Sequence, residues 1–193
     1  MGLDISINVN NPEEIFDTTY YDPEERNFYQ HGLSRTFCNF ISRRDVISGE
    51  PELDQIGRLT DIDITPIYDM NNYGDDEQLQ FMLSHTETDE ERKQIIDDNT
   101  ANREKLKGNI SSMLLLINNL IEKLSPIKNL PELLQQQPGN PDTLNHNAYF
   151  ANFDKDTGDG YIDNNLGQDF RNFRRFLIYA KNNGTKTVYF TYG

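Results

Sequence analysis

The chain has 193 residues, 32 acidic against 18 basic, and a formal net charge of -14; only 35% of it is hydrophobic, yet it holds eleven Phe and ten Tyr. That many large rings can build the core that a domain of this length needs, which excludes a disordered acidic chain. No run of eighteen apolar residues occurs and no basic-then-apolar leader follows Met1, so a membrane-spanning or secreted class has no support and a soluble cytoplasmic protein is expected.

Leu3 to Val9 alternates apolar and polar residues strictly, the period of a half-buried strand. An acid- and tyrosine-rich loop, 11–27, follows; its length requires that it pack through its aromatic side chains. Phe28 to Val46 reads as one helix through Leu33, Phe37, Phe40 and Ile41, stopped by Gly49-Glu50-Pro51. Cys38 lies on or beside its apolar face. A solitary cysteine excludes an internal disulfide and a cysteine-built zinc site, and it reads as a small buried thiol. From Glu52 to Tyr73, apolar pairs separated by carboxylates and Pro66 predict short helices and turns.

Asp75-Asp76-Glu77 loads a helix start with acids, where the macrodipole favours them, and Leu79, Met82 and Leu83 form its stripe. Thr88 with Glu91 predicts a capping box and a helix running on to Leu124. In that helix Leu106, Ile110, Met113, Ile117, Leu120 and Leu124 make a heptad seam, which projects back onto Ile96, Asn99 and Arg103. Apolar support therefore thins toward the N-terminal half, and 75–124 is expected to project as a helical hairpin subdomain from a single domain spanning 1–193. Pro126 and Pro131 end this run, 135–141 is a loop by composition, and Tyr149-Phe150 reads as a short strand. Leu166, Phe170, Phe173, Leu177 and Ala180 define a further helix, closed by Asn182-Asn183-Gly184, where a left-handed cap fits. Thr187 to Tyr192 is β-branched and aromatic, a second strand. The expected class is α+β: a small sheet holding both termini, packed by the helices near 28–46 and 165–183.

The charge is concentrated. Between Asp45 and Asp98 stand sixteen carboxylates and three basic residues, a balance of -13, while the rest of the chain is nearly neutral. Self-repulsion of this density costs stability, so the block reads as an interaction surface. On the hairpin, Asp75, Asp76, Glu77, Glu87, Asp89, Glu90, Glu91, Asp97 and Asp98 offer an anionic strip. Duplex DNA presents one charge per about 1.7 Å of axis, and such a strip would imitate it toward a basic protein partner, including a host nucleic-acid-handling protein. The competing reading is a solvated arm whose acids serve solubility and helix starts.

Asp154-Lys155-Asp156-Thr157-Gly158-Asp159-Gly160-Tyr161-Ile162-Asp163 looks like an EF-hand calcium loop, because alternating carboxylates and a glycine at a sharp turn are how a loop gathers six to eight oxygens. Asp154, Asp156, Asp159 and Asp163 are its candidate ligands. One residue too many separates the second and third Asp, and Asn165-Leu166 stands where a closing Glu belongs. A well-formed turn that takes a cation at high concentration is therefore the main reading, and a dedicated calcium site the alternative. Arg43-Arg44 and Arg171, Arg174 and Arg175 are the dense basic spots, expected to pair with internal acids or to lay their stems on aromatic faces. His31, His85 and His146 lack ligand spacing, and no nucleophile elbow or phosphate loop occurs, so no catalytic residue is named.

The opening Met1-Gly2-Leu3-Asp4-Ile5, the aromatic segment Leu33-Ser34-Arg35-Thr36-Phe37-Cys38-Asn39-Phe40, and the closing Tyr161-Ile162-Asp163, helix and Val188-Tyr189-Phe190-Thr191-Tyr192 resemble a group of uncharacterised bacterial and phage proteins that begin with Met-Gly-Leu-Asp. The resemblance covers the two ends and leaves out the acidic middle. It implies a phage or mobile-element context and a sheet holding both termini, with no activity or functional residue to carry over. Joined to the acidic strip, it gives the first functional expectation: a non-enzymatic inhibitor of a host defence complex. A calcium-binding module and an enzyme built around the tyrosine-rich loop are the alternatives.

Overall fold

The computed structural model of the chain describes residues 4–136, 144–156, 158, 160 and 164–193. Two strands meet at the termini: β1 (Ile5–Val9) pairs antiparallel with β2 (Val188–Tyr192), Ile5 opposite Tyr192 and Val9 opposite Val188. Ile5, Ile7 and Val9 turn inward from β1, as the alternation requires. Between the strands run α1 (Pro12–Ile15), α2 (Asn27–His31), α3 (Arg35–Ser42), α4 (Glu52–Thr60), α5 (Thr65–Asp69), α6 (Asp76–Ser84), α7 (Asp89–Leu106), α8 (Ile110–Leu124), α9 (Leu130–Leu133), α10 (His146–Phe150) and α11 (Leu166–Asn182), with 3-10 turns at Arg43–Asp45 and Met70–Asn72. The fold is α+β, and no helix of the described residues is long and apolar enough to cross a membrane.

The core forms where α11 lies between the sheet and α8. Phe170, Phe173, Phe176 and Leu177 of α11, Met113, Ile117, Leu120 and Leu124 of α8, and Phe37, Phe40 and Ile41 of α3 are each at most 1% exposed. Burying one such side chain contributes about 1.5–3 kcal/mol. Phe37 is central: its ring stands 6.3 Å from Phe170, 6.5 Å from Phe173 and 6.2 Å from Phe190, each pair in a T-shaped arrangement. Cys38 is buried beside it, and burial raises its thiol pKa. The loop 11–27 does pack through its rings, with Tyr20 buried against Phe16, Tyr179 and His31.

Three sequence expectations are corrected. The helix over 28–46 is broken at Gly32-Leu33-Ser34, because α11 captures that backbone: Asn172 Nδ2 donates to the Gly32 carbonyl at 2.8 Å, and the Ser34 N–H and hydroxyl both donate to Asp169. Ser34 then caps α3, accepting from the Phe37 N–H at 3.1 Å. The helix from Thr88 to Leu124 is likewise two helices, parted at Gly108, whose φ of +75° suits glycine alone at little cost. Here the strand end does the capturing: the Gly108 N–H donates to Thr187 Oγ1 and the Ile110 N–H to the Lys186 carbonyl. Tyr149-Phe150 belongs to α10 and not to a strand, because Asn145 caps that helix and both rings turn into the core against Phe40. The left-handed cap after α11 is present at Gly184, with φ +88°.

Candidate interaction surface

The arm begins at Asp75, whose carboxylate accepts from the Gln78 N–H at 2.8 Å and so caps α6. Thr88 and Glu91 form the reciprocal capping box of α7, and the Glu91 carboxyl is held below its ordinary pKa by the N–H groups of Glu87 and Thr88. Between the helices, Arg92 donates to the Leu83 carbonyl at 2.8 Å. At the base, the Gly74 carbonyl accepts from Asn99 at 2.9 Å and from Arg103 at 2.8 Å. The Arg103 guanidinium also covers the Tyr73 ring, which stacks on Tyr189 of β2 at 3.8 Å. The polar positions of the seam projected through α7 thus anchor the arm to the body by hydrogen bonds.

Along the arm only Leu83 of α6 and Leu106 of α7 are buried. Of the nine carboxylates, Asp75 and Glu91 serve as caps, Asp76 pairs with Arg103 at 2.8 Å and Asp98 accepts from Gln94 at 2.8 Å. The side chains of Glu77, Glu87, Asp89, Glu90 and Asp97 have no hydrogen bond or ion pair among the described residues and stand in solvent. Phe81, at 65% exposure, and Met82 and Ile96, at 44% each, are exposed on the same arm.

The earlier part of the acidic block is used differently. Glu50 pairs with Arg58 at 2.8 Å, and Asp69 with Lys105 at 2.7 Å. Glu52 is fully buried against Arg43 at 2.6 Å. Arg44 lies over the Tyr68 ring, 4.6 Å from its centre. The block divides: up to Asp69, Glu50, Glu52 and Asp69 are paired with basic side chains, whereas from Asp75 onward most of the carboxylates stand in solvent.

In the candidate calcium loop, Asp159 and Asp163 lie outside the described residues. Asp154 accepts from Lys128, and Asp156 receives the Arg175 guanidinium at 2.7 Å on each oxygen, with Arg171 at 3.9 Å. Burial opposes the charged form of Asp156, but the arginines prevail and hold its pKa below the ordinary value. A cation at this loop competes with side chains already seated on two of its four carboxylates. No group of three metal-ligating side chains occurs among the described residues.

Two polar groups escaped the sequence. Asp169, fully buried, accepts from the Ser34 N–H at 2.9 Å, the Ser34 hydroxyl at 2.7 Å, the Tyr149 hydroxyl at 2.9 Å and Asn164 Nδ2 at 3.0 Å. Burial raises its pKa to about 6 against the pull of these four donors. The signal was an acid set between Leu166 and Phe170 in a helix whose neighbours are core residues. His31 is 7% exposed among Tyr20, Phe176 and Tyr179, and burial lowers its pKa to about 4. It lines a 490 Å³ cleft beside β1 that no sequence motif announced. Comparison of the chain with models of protein families, with curated proteins and with solved structures found no match in any of the three.

Proposed function

We propose that this chain is a non-enzymatic interaction protein whose α6–α7 arm docks on a basic surface of another protein. The observation that carries the reading is the coincidence of five carboxylates that have no partner among the described residues with exposed Phe81, Met82 and Ile96 on one projecting element. An interface combines an apolar centre with a charged rim, and the arm carries both kinds of side chain. From 75 to 106 the arm carries ten acidic and four basic residues, so its field attracts a cationic partner and speeds encounter. The partner best matched to such a strip is a protein groove that otherwise holds a nucleic acid, in keeping with the phage or mobile-element context that the resemblance implies.

The test is capture from a bacterial host lysate at low and physiological salt, with photo-crosslinking from Gln80 and Gln94 on the arm. Three forms are compared: the parent chain, a variant with Glu77, Glu87 and Glu90 changed to Gln and Asp89 and Asp97 to Asn, and Phe81→Ser. The parent is expected to crosslink a basic protein through the arm and to release it to duplex DNA. Salt screening over about 8 Å at 0.15 M should weaken the association steeply. Both variants should lose the partner while folding normally, since Gln and Asn have helix propensities close to those of Glu and Asp. If the neutralised variant keeps every partner of the parent, the arm is a solvated face and the reading falls.

A further inference from the structure

Both outer edges of the sheet carry backbone groups without a partner among the described residues, at Ile5 and Ile7 of β1 and at Phe190 of β2. Asp4 exchanges both backbone hydrogen bonds with Gly193, and the Asn10 N–H donates to the Thr187 carbonyl. With this register the even-numbered residues of β1 face β2, and the backbone groups of Ile5, Ile7 and Val9 point outward. The outer edge of β2 is covered at Val188 by the Asn109 carboxamide, which donates to its carbonyl at 2.9 Å and accepts from its N–H at 2.8 Å. On β1 the Val9 N–H is taken by Asn8 Oδ1 at 2.8 Å. The outward N–H and C=O groups of Ile5 and Ile7 have no protein partner among the described residues. These residues are 3% and 5% exposed, and backbone groups so placed are nearly always paired.

What lies beside that edge is the 490 Å³ cleft, walled by Pro12, Phe16, Tyr20, Tyr21, Phe28 and His31. His31 Nδ1 is itself buried with no hydrogen-bond partner among the described residues. The segment that forms this wall, 11–27, carries six exposed acids (Glu13, Glu14, Asp17, Asp22, Glu24 and Glu25) and one basic residue, Arg26.

We propose that this cleft takes a short extended segment of a basic peptide, which adds to the outer edge of β1 as a further strand and seats an apolar side chain against Phe16 and Tyr20. Ile5 and Ile7 stand about 6.7 Å apart along the strand, the repeat of alternate residues in any extended peptide, so main-chain pairing supplies the affinity and the aromatic wall the selectivity. The acids of 13–25 set the charge of the flanks. A second copy of this chain would bring the same acids against each other, each copy with a net charge of -14, and is repelled. His31, neutral at pH 7 because burial disfavours its charged form, adds no repulsion toward a cationic ligand. This edge is separate from the α6–α7 arm and does not depend on the reading of it.

The test is titration of the isotope-labelled full chain with a pool of acetylated, amidated peptides that have lysine flanks and Val, Ile, Leu, Phe or Tyr at three central positions. Binding should slow amide exchange at Ile5 and Ile7 by about tenfold or more and give cross-strand contacts from both residues. N-methylation of alternate central amides removes the pairing donors and keeps the side chains, so it should weaken affinity by about tenfold. Tyr21→Ala with Phe28→Ala, at positions 59% and 42% exposed, should weaken binding without unfolding the chain. The arm-neutralised variant should bind as the parent does, which separates failure here from failure of the arm reading. The proposal is overturned if no member of the pool binds at millimolar concentration, if N-methylated peptides bind equally well, or if sedimentation shows two copies joined through β1.

Discussion

The α7 and α8 helices are neighbours in sequence and opposites in physics. Over eighteen residues α7 buries one side chain, Leu106, whereas α8 buries seven over fifteen. The first is held by its capping box, by Asn99 and Arg103 reaching Gly74, and by the Lys105–Asp69 pair. The second is held by apolar burial against α11. Local and polar support permits a charged surface, and tertiary apolar support does not, which is why the outward acids stand on one side of Gly108 and the core seam on the other.

The largest expected contrast is between core and arm truncations. Leu120→Ala in α8, at a position with no exposure, should lower unfolding free energy by about 2–5 kcal/mol. Ile96→Ala in α7 should change it by no more than about 0.5 kcal/mol. Denaturant titration of both variants checks this, and comparable losses would show that α7 belongs to the core.

Asp169→Asn comes next. It turns an amide donor toward four donors and should cost about 1–3 kcal/mol near neutral pH. Its pH profile is the sharper readout. The folded pKa of Asp169, about 6, exceeds the unfolded value near 3.8, so between these values the folded state holds the proton more tightly and stability falls as pH rises. The folded pKa of His31, about 4, lies below the unfolded value of 6.5, so over that window stability rises with pH. The two slopes oppose each other in the parent. Asp169→Asn should leave a rising profile between pH 4 and 6.5, and His31→Phe a falling one between pH 4 and 6, in melting temperatures measured across that range. Profiles that match the parent in both variants would show that neither group titrates as its burial implies.

At the junction, Gly108→Ala forces a β-carbon into left-handed backbone, and a loss of about 1–2 kcal/mol in global stability is expected. An increase instead would mean that α7 and α8 can join into one helix. Thr88→Ala, which removes the cap of α7, acts only locally. It should cost about 1 kcal/mol locally, seen as faster amide exchange in 89–95 with the global unfolding midpoint unmoved. A shift of the midpoint would deny the arm its independence from the core.

The sequence by itself determined the elements whose information is local. Period-2 alternation placed β1, the 4-3 spacing of Leu106 to Leu124 placed the buried face of α8, Thr88 with Glu91 placed the start of α7, and Asn183-Gly184 the end of α11. Each is written in neighbouring side chains, so no distant residue is needed to decide it. The breaks at 32–34 and 107–109 were decided only by tertiary structure, because the partners that outbid the helical hydrogen bonds come from far along the chain: Asp169 and Asn172 for the first, Lys186 and Thr187 for the second. The same holds for the acidic block, where Glu52 and Glu90 are the same residue type but Arg43 meets the first in the core and, among the described residues, no side chain pairs with the second. Composition sets how much charge a chain carries, but which carboxylates face outward depends on where the fold brings its arginines and lysines.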